Sequence, residues 1–203
     1  ALRALGVTVW PMVDFEADDA LATAASRWMA AVDQVVICSP DKDLCQCVDG
    51  TQVVTADRRR NIIYDAAAVE EKFGVPPVAI PDLLALVGDA ADGIPGLSGW
   101  GMKSTATVLR HYGSIEAIPN DATQWAVKVR GAARLAGTLA TQRHEAGLYK
   151  QLATLRTDVP LSESLDTLEW KGVPRAAYED ICQQLGLEAL MRRPTQWDTT
   201  PMR

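Results

Sequence analysis

Seven carboxylates fall in three tight clusters in the first half of this chain. They are Glu16, Asp18 and Asp19 in FEADDALA, Asp41 and Asp43 in ICSPDKDL, and Asp89 and Asp92 in LVGDAADGIPG. Carboxylates repel one another, so bringing several together is costly unless a cation neutralises them. Hard oxygen donors favour Mg²⁺ or Mn²⁺ over zinc. All seven are candidate metal ligands, with Asp41, Asp43 and Asp89 as the candidate catalytic acids. Taken singly, the first two clusters read more readily as an acidic helix turn and a solvated loop, and the third as acids in an otherwise apolar helix, costly without a partner. The ordered set is the stronger signal.

Directly after the last cluster comes Gly96-Leu97-Ser98-Gly99-Trp100-Gly101, followed by Met102-Lys103-Ser104-Thr105. Glycine permits positive φ and a close approach of another backbone. A helix start beyond it offers free N–H groups to an anion. Lys103 adds a mobile positive charge, and Ser104 and Thr105 add donors. A plain helix–helix turn explains one or two glycines, but not three followed by lysine. Gly96, Ser98, Gly99, Gly101, Lys103, Ser104 and Thr105 are therefore candidate phosphate contacts. A metal site beside a phosphate-gripping hairpin points to phosphodiester hydrolysis.

The elements that must position these residues can be read from the hydrophobic pattern. A helix end and a short strand around Val7–Val9 are expected first. FEADDALATAASRWMAA reads as a helix with its acids in the first turn, where the macrodipole favours them. Glu16 and Asp19 would share one face, with Asp18 roughly 100° around. DQVVICSP reads as a buried strand ended by Pro40, with Asp41 and Asp43 at its C-terminal end, where open α/β sheets place their sites. GTQVVTA and RNIIYD suggest a strand pair around the basic tip Arg58-Arg59-Arg60. Asp65 and Gly74 bracket a helix over AAAVEEKF. From Ile80 the pattern turns helical, and PDLLALVGDAADG reads as one helix carrying Asp89 and Asp92. KSTATVLRHY follows as a second, with Trp100 packing the turn between them. The fold class is α/β with a mainly parallel sheet, followed by a helical region. The division expected is 1–80, 81–160 and 161–203, the last packing back on the core.

Composition excludes several classes. No apolar run has membrane length, and no secretory signal is visible. Cys38, Cys45, Cys47 and Cys182 form no C-x-x-C pair, which fits reduced thiols in a cytoplasmic protein. His111 and His144 read as surface residues. A net charge of −6 argues against a generic nucleic-acid binder. The sum hides a gradient, however: residues 1–95 hold 15 acids and 7 bases, whereas 96–160 hold 4 acids and 8 bases.

EADD, SPDKDL, LVGDAADGIPGLSGWGMKSTATVL and RTDVPL, in this order, resemble the 5′ nuclease (flap endonuclease) family over roughly residues 8–160. The resemblance implies a PIN-like α/β domain and a helix–hairpin–helix (helix–three-turn–helix) element that grips duplex DNA. It implies two or more Mg²⁺ ions, a monovalent cation such as K⁺ at hairpin carbonyls, and cleavage near a 5′ flap or 5′ end. A monomeric bacterial protein of replication or repair, working at the nucleoid, is the corresponding expectation. The family's acids map onto Glu16, Asp18, Asp19, Asp41, Asp43, Asp89 and Asp92, and its hairpin onto Gly96, Gly99 and Gly101. Ser39-Pro40 stands where Thr-Ala is usual, and Gly93 where many bacterial members have Asn. Family members carry a strand with a metal-binding aspartate and a basic arch ahead of EADD. Only 15 residues precede that motif here, so a chain lacking its N-terminal segment is expected. Two alternatives stand beside the nuclease: a DNA-binding remnant that no longer cuts, and a phosphatase built on Asp41 and Asp43. The phosphatase leaves the hairpin unexplained.

Overall fold

The computed structural model describes residues 1–199. The chain divides into two compact units, Asp18–Val159 and a smaller one built from Ala1–Ala17 with the residues from Pro160 onward. The division expected at residue 80 falls inside the larger unit.

In the larger unit, α1 (Ala17–Trp28) carries Asp18 and Asp19 in its first turn. A three-stranded sheet follows: β1 (Val35–Ile37), β2 (Val53–Asp57) and β3 (Ile62–Tyr64). β1 runs parallel to β2 and β3 antiparallel to it, so the sheet is mixed. β2 lies in the middle and is buried throughout, as a strand covered on both faces should be. β1 is less buried than its apolar run suggests, with Val36 46% exposed. A 3-10 turn over Asp43–Cys47 returns the chain to β2. α2 (Ala66–Phe73) is capped by Asp65, whose side chain accepts the Ala68 N–H, and stopped by Gly74 at φ 75°.

The helical part comprises α3 (Ile80–Val87), α4 (Met102–Tyr112), α5 (Ala132–Thr141) and α6 (Arg143–Ala153). α3 is buried at Ile80, Leu83, Leu84 and Leu86, and forms the centre of a core that also takes in Val108, Leu109, Leu135 and Leu139. Each such side chain contributes about 1.5–3 kcal/mol by leaving water. Asp82 is buried on the same helix and is satisfied by Lys150 at 2.9 Å and by the Ile115 N–H at 2.8 Å. Trp100 packs into the hairpin as expected, 4% exposed, with its indole N–H donating to the Leu135 carbonyl at 3.2 Å.

Two expectations need correction. Asp89 and Asp92 are not helical. α3 stops at Val87 because Gly88 turns to φ 93°, and a Cβ there would come within 2.8 Å of the Pro95 carbonyl oxygen. Gly96 is its counterpart, since a Cβ there would meet the Gly88 nitrogen at 2.4 Å. Between them Asp89 and Ile94 exchange two backbone hydrogen bonds of 2.7 and 2.8 Å, closing a tight loop that carries both aspartates. Likewise Val7–Val9 forms no strand. Gly6 ends a 3-10 turn with φ 77°, and the residues beyond it pair with no strand among the described residues.

The smaller unit has its own core of Val173, Tyr178 and Cys182 with Leu5, Ile181 and Trp197. It contains α7 (Leu165–Leu168) and α8 (Arg175–Gln184). Indole donors tie its two chain segments together: Trp10 to Glu163 at 2.9 Å and Trp170 to the Leu5 carbonyl at 2.8 Å. α8 stops at Gln184, and Gly186 just beyond it turns to φ 65°.

Candidate metal centre and nucleic-acid interface

Two loops of the larger unit bring acids together. The loop after β1 carries Asp41 and Asp43, and the loop after α3 carries Asp92. Carboxylate oxygens of these three residues lie within 4.8 Å of one another. Local hydrogen bonds set the first loop. The Asp41 N–H donates to Ser39 Oγ at 3.2 Å, and the Asp43 N–H to Asp41 Oδ1 at 3.3 Å. Gln46 then donates to the carbonyls of Asp43 and Ala153, both at 2.9 Å, anchoring the turn to the end of α6.

The electrostatics are those of crowded acids. Asp43 is buried, and its Oδ1 has no hydrogen-bond partner. Burial, then Asp89, Asp92 and Asp41, push its carboxyl up to about 7. Asp92 is also raised, by burial and by Asp89 and Asp41. Asp89 goes the other way. Burial opposes its charge, but the Lys42 ammonium and the Ala91 N–H at 3.1 Å outweigh that and hold it below the usual carboxylate range. Lys42 is raised in turn: burial acts against it, and Asp89, Asp43 and Asp41 prevail. Asp89 thus joins the site through Lys42 and is not one of the three oxygens that converge.

The remaining acids lie outside this group of three. Asp19 accepts the Arg156 N–H at 2.8 Å, and Thr23 accepts the Val159 N–H at 3.2 Å, so α1 holds residues 156–159. Asp18 lies near Cys47, whose thiol is pushed up to about 12 by burial first and then by Asp18 and Cys45. Neither Asp18 nor Asp19 belongs to the group of three. Glu16 stands in the smaller unit, immediately ahead of α1.

At the hairpin, Gly101 is the N-cap of α4. Its N–H is taken by Ser104 Oγ at 3.3 Å, while the Ser104 hydroxyl donates to the Gly101 carbonyl at 2.9 Å. Ser104 therefore caps the helix as well as facing the surface. Ser98, Gly99, Gly101 and Lys103 are exposed. Thr105 is a correction: it is 0% exposed with an unpartnered hydroxyl, so it cannot meet a phosphate outside the core.

Sequence reading missed the other wall of this interface. Lys103, Ser104 and Thr107 line a groove of about 670 Å³ together with Lys128, Arg130 and Arg134. Arg134 packs on Gly99, where a Cβ would come within 3.1 Å of its Nη2. The groove thus holds four cations and no carboxylate. The only sequence signal for it was the charge reversal after residue 95.

Comparison with known proteins agrees with this architecture. Residues 1–74 match the family model of the 5′–3′ exonuclease N-terminal resolvase-like domain, and residues 75–176 that of the 5′–3′ exonuclease C-terminal SAM fold. DNA polymerase I of Pseudomonas aeruginosa is 36% identical over 95% of this chain and 22% of its own length. A 5′–3′ exonuclease of Aquifex aeolicus is 31% identical over 94% of this chain and 63% of its own. The chain therefore spans under two thirds of these relatives. A structure of the T5 5′-exonuclease with bound zinc has a TM-score of 0.61 at 21% identity, covering 86% of this chain and 61% of the other. The T5 flap endonuclease, solved with DNA and metal ions, has a TM-score of 0.60 at 18% identity, covering 91% of this chain and 60% of the other. These likenesses establish a shared fold. With both family models matched in order over residues 1–176, the chain belongs to the 5′–3′ exonuclease family.

Proposed function

We propose that this chain hydrolyses DNA phosphodiesters with the help of divalent metal, as a 5′–3′ exonuclease or 5′ flap endonuclease of replication or repair. The observation that carries the reading is the convergence of Asp41, Asp43 and Asp92 in the same compact unit as the basic groove. The donor set fits a hard dication. All three ligands are carboxylates, and Asp43 presents a buried oxygen with no protein partner. Mg²⁺ or Mn²⁺ is the ion proposed, with Asp41, Asp43 and Asp92 holding it; Asp89, already paired with Lys42, and Asp18 and Asp19 of the EADD motif are proposed ligands of a further ion. A monovalent cation such as K⁺ at the hairpin carbonyls belongs to the same reading. When bound, the dication supplies an activated water and charge neutralisation at the phosphate.

The chain's own residues do the rest. Lys42 fixes Asp89 and keeps it ionised. Lys103, Lys128, Arg130 and Arg134 bind duplex phosphates, which positions the substrate without reading its sequence. The exposed hairpin at Ser98, Gly99 and Gly101 permits close approach of the DNA backbone. No helix of the described residues is long and apolar enough to cross a membrane. A monomer working in the bacterial cytoplasm is the setting proposed.

The test is cleavage of a 5′-labelled flap duplex in Mg²⁺, comparing this chain with Asp43→Asn. Metal-dependent product that disappears in the variant supports the reading. DNA binding without any cleavage would instead make the chain a binding remnant.

A further inference from the structure

Asp41 also forms part of the wall of a second pocket, of about 410 Å³, shared with Ser39, Lys42, Arg60, Lys72 and Phe73. Three cations face one carboxylate there, and none comes from the hairpin groove. Each cation is held from behind. Asp57, 5% exposed, accepts the backbone N–H groups of Arg59 and Arg60 at 3.0 and 3.1 Å, and meets Arg60 Nε at 3.7 Å. That fixes the turn between β2 and β3, which Asn61 completes at φ 54°. A guanidinium has five N–H donors, so this contact leaves Arg60 with donors for a ligand. Lys72 stands over the rings of Tyr64 at 4.0 Å and Phe73 at 4.8 Å. Aromatic faces orient an ammonium without neutralising it. Lys42 closes the pocket toward Asp89.

Oriented, incompletely neutralised cations beside a carboxylate metal centre suit a phosphate on a strand that continues past that centre. We propose that Arg60 and Lys72 bind the substrate-strand phosphodiester adjacent to the one presented to Asp41, Asp43 and Asp92. The proposal rests on reading the acidic group as the nuclease centre. Its ligand is a backbone phosphate, recognised whatever the base. The two side chains act as positioning residues: they set which phosphate of the strand stops at the acids.

The test is a phosphate-neutralisation scan. Duplexes carrying a single methylphosphonate at successive positions around the cleavage site are titrated with the full chain in Ca²⁺, over a time in which no product forms. The proteins compared are wild type, Arg60→Gln, Lys72→Gln and the double variant. A charge-assisted contact predicts about a tenfold loss of wild-type affinity when one particular phosphate is neutralised. The double variant should lose about as much on unmodified DNA, and lose nothing further on that one modified duplex. Both side chains are exposed, so the variants should melt with wild type. Losses that add equally at every position, or variants that bind as wild type, would overturn the proposal. Lys128→Ala separates the two levels. If it weakens duplex binding while Arg60 and Lys72 show no coupling, only the phosphate subsite fails. If Lys128→Ala also has no effect, the wider reading fails with it.

Discussion

Lys42 pairs with the buried carboxylate of Asp89, although the two residues belong to different acidic motifs. Lys42 sits between Asp41 and Asp43 in sequence, so one ammonium ties the loop after β1 to the loop after α3. The pair also explains why a centre crowded with carboxylates can fold. Replacing Lys42 by Met leaves Asp89 buried and unpaired. A destabilisation of about 2 kcal/mol is expected, below the usual figure for a broken buried pair because Lys42 is partly exposed. Melting curves in EDTA measure it, and Mg²⁺ should restore part of the loss. An unchanged melting temperature would show that the pair does not hold the loops.

Asp43 makes the metal-free protein sensitive to pH. Its folded carboxyl titrates at about 7, well above an unfolded aspartate. The folded state therefore binds the extra proton between the two values, and stability falls as pH rises through that interval. Asp43→Asn should abolish this part of the fall and raise the melting temperature in EDTA at pH 8 relative to wild type. Bound dication needs the ionised acid, so Mg²⁺ should stabilise wild type more at pH 8 than at pH 5. A metal effect that grows toward acid pH would contradict the assignment.

Thr105→Val separates the buried face of α4 from its exposed one. The hydroxyl has no partner, so removing it should be neutral or stabilising by about 1 kcal/mol. Duplex DNA affinity should not change. Arg134→Ala, on the groove side, should weaken binding to all duplex sequences alike and flatten its salt dependence. If Thr105→Val weakens DNA binding while the fold is intact, the burial argument is wrong.

Gly96→Ala tests the loop that carries Asp89 and Asp92. The added methyl would meet the Gly88 backbone at 2.4 Å, in a residue at φ 67°. A loss of about 2–4 kcal/mol is expected, together with weakened metal binding as Asp92 moves. Denaturant unfolding and Mn²⁺ titration measure the two effects. Stability equal to wild type would show that the two backbones are not locked together.

Much of this was legible in the sequence. Asp41 and Asp43 follow an apolar strand ended by proline, and that punctuation placed them correctly. Asp92 was chosen for its spacing from Asp89, but the helix assumed for both does not exist. Gly88, directly after the apolar run of α3, was a local sign of a stop at Val87, but the helix was read through it. The stop depends on Gly88 meeting Gly96, a contact eight residues apart. Thr105 was misjudged although a signal was present. Thr105, Val108, Leu109 and Tyr112 stand at helical spacing on one face, and that face is the buried one. Lys128, Arg130 and Arg134 were hidden because only tertiary folding brings the loop before α5 and the first turn of that helix beside Lys103. Asp19, read as a ligand from its motif, also accepts the Arg156 N–H, a contact that spans most of the chain and leaves no local trace in the sequence.

The central claim is that Asp41, Asp43 and Asp92 form one metal site, and Mn²⁺ titration followed by electron paramagnetic resonance tests it most directly. Wild type is compared with Asp43→Asn, Asp92→Asn and, as a control outside the group, Asp166→Asn. The account predicts bound Mn²⁺ that Mg²⁺ displaces, weakened at least about tenfold by either of the first two changes and unaffected by the third. Wild-type occupancy in both Asp43→Asn and Asp92→Asn would show that the dication is held elsewhere and would contradict the account.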